Sequence, residues 1–464
     1  MFKTRRKSFF SSQSSYRPYG KPSPRRWRLL VLILCLLLGL ELLLRLGFGL
    51  TGNADALQYA GKSAVTVDYR LAYGDASGKL YKDLSSQGKL VVRRSPLQGY
   101  ELQKDQSGQH WSISAQGFRA PLLAPLLSDK KPTNEMRIFV LGGSTAFGQL
   151  SSSDQTTISY QLERQLNERV GKQKETPGQF QPPRLPYYAD EQAIALAKPK
   201  RIQKKQYRVI NAAVPGYISS NERSQFIHQV SHYQPDMLVL IDGYTDLLTP
   251  SNQIASDIPQ IDEILDNARS HFLRSIRVSI SQFLNRFYTV KVTRYAMSIR
   301  NQLSKSNSQA HLKYSLHLPP ELPKDKLELN RRIDRYEVNL ADLAHLTSIA
   351  KTPLIVAIQP EISDRLNHNP SPAEQAILNK LNADYPQQIE IAYEQLQQSV
   401  EKIKKTYPNV SSLNLRDLYD KTETEAFQDP IHLTDKANQI LAKKLYSAVA
   451  KTLEINSEPN LDSR

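Results

Sequence analysis

A doubly wound α/β fold, a parallel sheet covered by helices on both faces, is predicted behind a single N-terminal membrane-spanning helix. Three observations predict it. From residue 137 onward, brief apolar runs alternate with amphipathic helical stretches, which is how a parallel sheet buried on both faces reads. Loops rich in glycine and potentially reactive side chains follow several of those runs. Ahead of them all stands a long apolar run behind a dense positive lead.

The apolar run covers Leu29 to Leu50. At 1.5 Å per residue it is about 33 Å long as a helix, enough to cross a bilayer core. Glu41 and Arg45 interrupt it four residues apart, where they share one helical face and can pair. Residues 1 to 28 form a basic tail with nine Lys or Arg and no acid, so this end stays in the cytoplasm and everything after residue 52 is expected outside, in the periplasm or beyond. Ala54-Asp55-Ala56 leaves open a cleaved signal peptide, although the long basic lead favours an uncleaved, single-pass anchor. Removing the tail from the net charge of +16 leaves +7 over the other 436 residues, so no nucleic acid or other polyanionic partner is expected. The single cysteine, Cys35, lies inside the span and excludes an internal disulfide.

Residues 53 to 130 are polar and turn-rich, with short alternations such as Lys89 to Arg93 that predict hairpins packed on the main domain. The main domain, 131 to 455, has strand candidates at Arg137 to Leu141, Tyr207 to Asn211, Met237 to Ile241, Pro353 to Ile358 and, more weakly, Val410 to Leu415. Helices are expected at Thr156 to Arg169 and at Leu327 to Ala350, the latter with Ile333, Tyr336, Leu340, Leu343 and Thr347 at helical spacing. Two insertions break the alternation. Residues 171 to 206, with five prolines and many polar residues, read as a long, mobile surface insertion. Residues 250 to 326 contain Phe272, Ile276, Ile280, Phe283, Phe287 and Val290 interleaved with arginines and lysines, a basic amphipathic helix across 268 to 305. Such a helix is a lid, a contact with anionic lipid, or simply one packed on the core with solvated charges.

Four loops carry candidate chemistry. Gly142-Gly143-Ser144-Thr145 follows the first strand and can present Ser144 from a tight turn with its amide free. It lacks the lysine of a phosphate loop. Asn211-Ala212-Ala213-Val214-Pro215-Gly216 follows the second, and Gly243-Tyr244-Thr245-Asp246 follows the most apolar one. Asp429-Pro430-Ile431-His432 stands before a C-terminal helix, and its short, proline-stiffened spacing can bring carboxylate and imidazole within hydrogen-bond distance. His228 and His232, four apart, have a metal-binding spacing, but no third ligand is evident and Gln229 stands where a metalloprotease needs Glu, so no metal and no cofactor is expected.

In this order, and over roughly residues 137 to 453, these blocks resemble the SGNH/GDSL hydrolase superfamily, in a variant like its membrane-anchored bacterial members. The resemblance implies a three-layer, flavodoxin-like sheet and an ester hydrolase whose triad is Ser144, Asp429 and His432. It implies an oxyanion hole from Ser144, Gly216 and position 245. The sequence departs from the family in carrying Thr245 where asparagine donates to the oxyanion, and in reading Gly-Gly-Ser-Thr rather than Gly-Asp-Ser-Leu. Asp246 is read as a cap of the helix that follows it. The expected activity is hydrolysis of acyl or acetyl esters of envelope glycans or lipids. The rival is an acyltransferase or a non-catalytic glycan-binding component of envelope polysaccharide assembly.

Overall fold

The computed structural model describes residues 24–51, 64–81, 84, 88–259, 261, 280, 283–304 and 322–459. The Phe272 and Ile276 part of the expected amphipathic helix lies outside them. The chain forms two compact units, one holding residues 24–51 with 283–299, the other nearly all the rest.

In the first unit, α1 (Pro24–Thr51) is a 28-residue helix whose Trp27–Thr51 portion is long and apolar enough to cross a membrane. Its leucines are exposed along almost the whole length, as expected of a helix solvated by lipid rather than packed in a protein core.

The second unit opens with three strands, β1 (Leu71–Gly74), β2 (Leu90–Ser95) and β3 (Gly99–Leu102). β2 and β3 pair as an antiparallel hairpin, and Gln106–Ser107 pairs antiparallel with Ser112–Ile113, as the alternations there predict; β1 adds to this as a strand parallel to β2. Gly88, before β2, crosses so close to Arg70 and Leu71 that a Cβ there would stand 2.3 Å from the Arg70 carbonyl oxygen. Tyr69, Leu71, Tyr73, Leu90, Val92 and Tyr100 are all buried and pack into the larger of two hydrophobic clusters.

The central sheet is β4 (Glu135–Gly142), β5 (Gln206–Asn211), β6 (Met237–Asp242), β7 (Leu354–Ile358) and β8 (Val410–Asn414). Its order is β8-β7-β6-β4-β5 and every pairing is parallel, the flavodoxin-like order expected. Each strand has residues of both faces in a core. Ile138 and Val140, Met237, Val239 and Ile241, and Ile355 and Ala357 point into one cluster; Phe139 and Leu141, Leu238 and Leu240, and Leu354, Val356 and Ile358 point into the other. Period-two alternation with both faces apolar explains why these strands read as continuous apolar runs.

Helices cover both faces. After β4 comes the four-residue α2 (Ser144–Phe147), then α3 (Ile158–Glu175). Thr157 caps α3 by accepting from the Tyr160 amide, and the preceding Asp154–Thr156 is a separate 3-10 turn, which is why α3 starts later than its periodicity suggested. The stretch 171 to 206, expected as a surface insertion, carries secondary structure of its own. It holds the end of α3, the helix α4 (Ala189–Leu196) and a short strand, Arg201–Ile202, paired with Glu454–Ile455. Local side-chain bonds order it: Gln173 exchanges hydrogen bonds with both the amide and the carbonyl of Ile202. Further helices include α5 (Ser219–His228), α6 (Tyr244–Leu248), α7 (Tyr288–Ser304), α8 (Lys326–Ile349), α9 (Tyr385–Thr406) and α10 (Asp435–Thr452). α3 and α10 supply one core cluster and α5, α8 and α9 the other, which makes three layers.

Candidate active site

The strand order reverses between β4 and β6. The chain leaves β4 for its neighbour on one side and returns, via β6, on the other, and the crevice beyond the carboxyl ends of two such strands is where open α/β sheets hold ligands. Ser144 is the first residue of α2 after β4, and Thr245 lies in the first turn of α6 after β6. The two loops meet closely. A Cβ on Gly142, at φ +140°, would stand 2.1 Å from the Ile241 carbonyl oxygen, so only glycine lets β4 pass β6 into the turn. A side chain on Gly143 would lie 3.3 Å from Thr245 Oγ1 and 3.6 Å from the Tyr217 carbonyl oxygen. The loops of Ser144, Gly216 and Thr245 are thus neighbours.

The Asp429 loop is held against them. Thr145 Oγ1 donates to the Ile431 carbonyl at 3.1 Å, which seats the residue before His432 on the residue after Ser144. Within the loop, Asp429 Oδ2 and His432 Nδ1 are 2.5 Å apart. Asp429 Oδ1 accepts from the amides of Ile431 and His432, at 3.0 and 2.8 Å. Burial pushes the Asp429 carboxyl up, but the His432 charge and these hydrogen bonds together hold it below the usual aspartate range. It therefore remains an anion facing Nδ1, which fixes the tautomer with the proton on Nδ1 and the lone pair on Nε2.

His432 is fully buried and Ser144 is 2 % exposed. His432 Nε2 has no hydrogen-bond partner among the described residues, the Ser144 hydroxyl included. A buried polar atom left unpaired costs about 1–3 kcal/mol, and this nitrogen can recover that by accepting from a group that enters beside it. The backbone amides of Ser144 and Gly216 likewise donate to no acceptor among the described residues.

Several residues that position these groups were not singled out in the sequence. Arg119, buried, donates to the Phe147 and Gly148 carbonyls at 2.9 and 2.8 Å, ending α2. It is neutralised by Asp154 at 2.8 Å and braced by the Tyr69 hydroxyl. Asn211 donates to the Phe147 carbonyl as well. Tyr100 donates to the Pro215 carbonyl at 2.8 Å, and its hydroxyl fills the space beside Gly216, where a Cβ would stand only 2.5 Å away. The region before residue 131, read as without chemistry, thus supplies two supports of the site. Neither Arg119 nor Tyr100 stands in a motif, so no local pattern marks them.

Asp246 does not cap its own helix. It accepts from the Ser219 amide at 3.0 Å and the Ser219 hydroxyl at 2.6 Å, tying the Thr245 loop to the start of α5. Arg335 donates to the Asp246 and Thr249 carbonyls, at 2.9 and 3.1 Å, and fixes the same loop from α8. Behind it lies a buried acid cluster. Burial, with the Asp246 charge adding to it, pushes Asp242 up to about 7. Burial and the neighbouring Asp242 and Asp246 charges also raise Glu222 well above the carboxylate range. On the other side of the Asp429 loop, Glu361 accepts from the Tyr385 hydroxyl at 3.2 Å, and the amide of the next residue, Ile362, donates to the Pro430 carbonyl at 2.9 Å. Burial, and secondly the Asp364 charge, push the Glu361 carboxyl up to about 7. His228 and His232 are exposed, the first ending α5 and the second in a following 3-10 turn, so they do not share a helical face.

No protein-family model matches the chain, and no curated protein does. Among solved structures it is similar to LAE5, an alpha/beta hydrolase enzyme from the metagenome of Lake Arreo, at 10 % identity over 68 % of this chain and 95 % of that one, with a TM-score of 0.33. It is similar to the acetyl xylan esterase AlAXEase at 11 % identity over 68 % and 100 % of the two chains, with a TM-score of 0.34. A GDSL-like lipase from Bacteroides thetaiotaomicron matches at 12 % identity over 68 % and 89 %, with a TM-score of 0.30. At these identities and scores the likeness says nothing about what this chain acts on.

Proposed function

We propose that this chain is an exported, membrane-anchored serine esterase in which Ser144 is the nucleophile, His432 the general base, and Asp429 the group that orients and electrostatically supports the imidazole. The observation that carries the reading is the Asp429–His432 pair with its unpartnered buried Nε2, seated one hydrogen bond away from the turn that bears Ser144.

In this reading an ester carbonyl enters beside Ser144. His432 Nε2 takes the hydroxyl proton as Ser144 Oγ attacks the carbonyl carbon, and the oxyanion is met by the amides of Ser144 and Gly216 and by the Thr245 hydroxyl. The tetrahedral intermediate collapses when protonated Nε2 returns its proton to the leaving alkoxide, and an acyl-enzyme remains. Water then repeats the sequence, deprotonated by Nε2, and releases the acid. Asp429 stays ionised throughout and balances the transient imidazolium. Threonine reaches less far than asparagine, so the third oxyanion donor is weaker here; loss of such a donor costs on the order of 10² to 10³ in turnover.

The depth of Ser144 and His432 favours a short acyl group, acetyl above long chains. The anchor favours a substrate in the cell envelope, an acetylated glycan or a lipid ester. A sugar hydroxyl in place of water would make the same acyl-enzyme an acyltransferase.

The test uses detergent-solubilised full-length chain, a fluorophosphonate probe, and chromogenic acetyl, butyryl and octanoyl esters. Labelling and acetyl ester turnover are expected in the native chain, with both lost in Ser144→Ala and in His432→Ala. A chain that folds but neither labels nor turns over any ester refutes the reading in favour of a non-catalytic role.

A further inference from the structure

The exposed apolar surface of α1 is interrupted at one place. Glu41 is the only acidic residue between Trp27 and Thr51, and it is 7 % exposed, whereas only 6 % of the most apolar stretch of the helix is buried. It lies about 18 Å along the helix from Leu29 and about 14 Å from Leu50, at 1.5 Å per residue. In a spanning helix that depth is hydrocarbon, where an unpaired carboxylate costs several kcal/mol.

What covers it comes from some 247 residues further along. Glu41 accepts from the Tyr288 amide at 2.8 Å, the Thr289 amide at 3.0 Å and the Thr289 hydroxyl at 3.1 Å, while Arg45 Nε donates to it at 2.9 Å. Arg45 also reaches the Arg286 carbonyl at 3.3 Å and lies over the Tyr288 ring, with Phe48 beside that ring. These bonds solve two problems together. The first amides of a helix have no partner of their own and cannot remain unpaired in lipid. A carboxylate inside a bilayer needs donors for its lone pairs. Glu41 is the N-terminal cap of α7, and the negative charge sits at the positive end of that helix dipole.

Phe283, Leu284 and Met297 are 56, 42 and 60 % exposed, so the same segment shows an apolar surface to its surroundings as α1 does. Arg286 and Arg294 are exposed with them, and Lys291 lies 4.8 Å over the Tyr288 ring. Both ends of the segment lead back into the second unit, so it enters and leaves any membrane on one side.

We propose that residues 283–299 form a re-entrant membrane segment, clamped to the anchor by Glu41 and surrounded by phospholipid acyl chains, with its basic side chains toward anionic headgroups. The 17 residues of α7 span about 25 Å, enough to climb from the depth of Glu41 back to the interface. The chain then holds the membrane by two elements rather than one. This rests on retention of the anchor and not on the esterase reading.

The full-length chain in nanodiscs of phosphatidylcholine and phosphatidylglycerol tests it. The native Cys35 takes a fluorescent label that reports on the anchor; in a Cys35→Ser background, Phe283→Cys, Met297→Cys and the exposed control Lys380→Cys take it in turn. Quenching by nitroxide-bearing lipid is expected to be severalfold stronger at 283 and 297 than at 380, with iodide quenching in the opposite order. Glu41→Ala is expected to shift the labels at 283 and 297 toward iodide while a label at Cys35 keeps its lipid quenching. Aqueous behaviour at 283 and 297 with Cys35 in lipid overturns the proposal alone, as a lid or core-packed helix would give. Aqueous behaviour at Cys35 overturns it together with the anchor. Lipid quenching at 283 and 297 that survives Glu41→Ala unchanged overturns the clamp.

Discussion

His432 shows how a side chain's role depends on what its neighbours withhold. Nδ1 is committed to Asp429 at 2.5 Å, and nothing among the described residues engages Nε2. Glu361, on the other flank of the same loop, has the opposite character: a carboxyl kept neutral. Burial and the Asp364 charge raise it from 4.5 to about 7, so the folded chain keeps a proton that the unfolded chain has already lost between those two values. The folded state then binds more protons than the unfolded one, and its stability falls as pH rises. The contribution is present in full below about 4.5, declines through the interval to about 7, and is gone above it; the shift corresponds to on the order of 3 kcal/mol. Asp242 and Asp364 move in the same direction, so the whole chain is expected to lose stability from pH 5 to pH 8. Glu361→Gln, which cannot ionise yet can still accept from Tyr385, is expected to lose less over that range, by about that amount. Unfolding of native and variant chains in detergent at the two pH values measures it. Parallel losses would show that Glu361 is ionised in the folded state.

At the scale of elements, what could be read in advance was whatever repeats locally. Strands β6 and β7 are recognisable because burial on both faces makes nearly every residue apolar, whereas Val410–Asn414, with two serines, an asparagine and only Val410 buried, reads weakly; Asp429 and His432 are recognisable because their partnership spans three positions. Tyr100, Arg119 and Asp246 were not legible, because their partners lie 27 to 115 positions away and a long-range hydrogen bond leaves no period in the chain. Residues 171 to 206 show a related limit: polar composition gives no sign of the bonds from Gln173 to Ile202 or of the pairing of Arg201–Ile202 with the C-terminal strand. The Tyr100–Gly216 contact offers a direct measurement of such coupling. Gly216→Ala forces a Cβ to 2.5 Å from the Tyr100 hydroxyl at a φ of +86°, so it adds overlap to the roughly 1–2 kcal/mol of a left-handed residue. Tyr100→Phe removes the hydroxyl, and the next atom is a comfortable 3.8 Å away. In a double-mutant cycle Gly216→Ala is therefore expected to cost about 1 kcal/mol less in the Tyr100→Phe background than in the native one, read by thermal unfolding. Ester turnover should follow the same order. Equal costs in both backgrounds would mean that the loop moves away from Tyr100 freely, and that the β3 residue does not fix the Gly216 amide.

For the whole molecule, charge and hydrophobicity are separated along the chain in a way that favours one orientation. Nine basic residues precede Leu29 without one acid, and the remaining +7 is spread over 436 residues. Lys and Arg close to a span stay on the cytoplasmic side, and the bias is counted over short flanks of this kind. α1 continues as one helix to Thr51, past the apolar run and up to the Ala54-Asp55-Ala56 sequence that a signal peptidase would need in extended form. The two together support the proposal of an uncleaved anchor with the second unit outside. Alkaline phosphatase fused after residue 60, which folds only when exported, is expected to be active, and a green fluorescent protein at the same point is expected to be dark. The fusion should also remain in the membrane fraction after an alkaline carbonate wash, with the mass of the uncleaved chain. Replacing the nine basic residues by glutamine is expected to reduce the exported fraction severalfold, because the asymmetry across α1 is then gone. A bright, phosphatase-inactive fusion would place the triad in the cytoplasm and remove envelope esters from its reach. A soluble, shortened product would instead mean that α1 is discarded after export, and with it the partner that Glu41 provides for the amides of Tyr288 and Thr289.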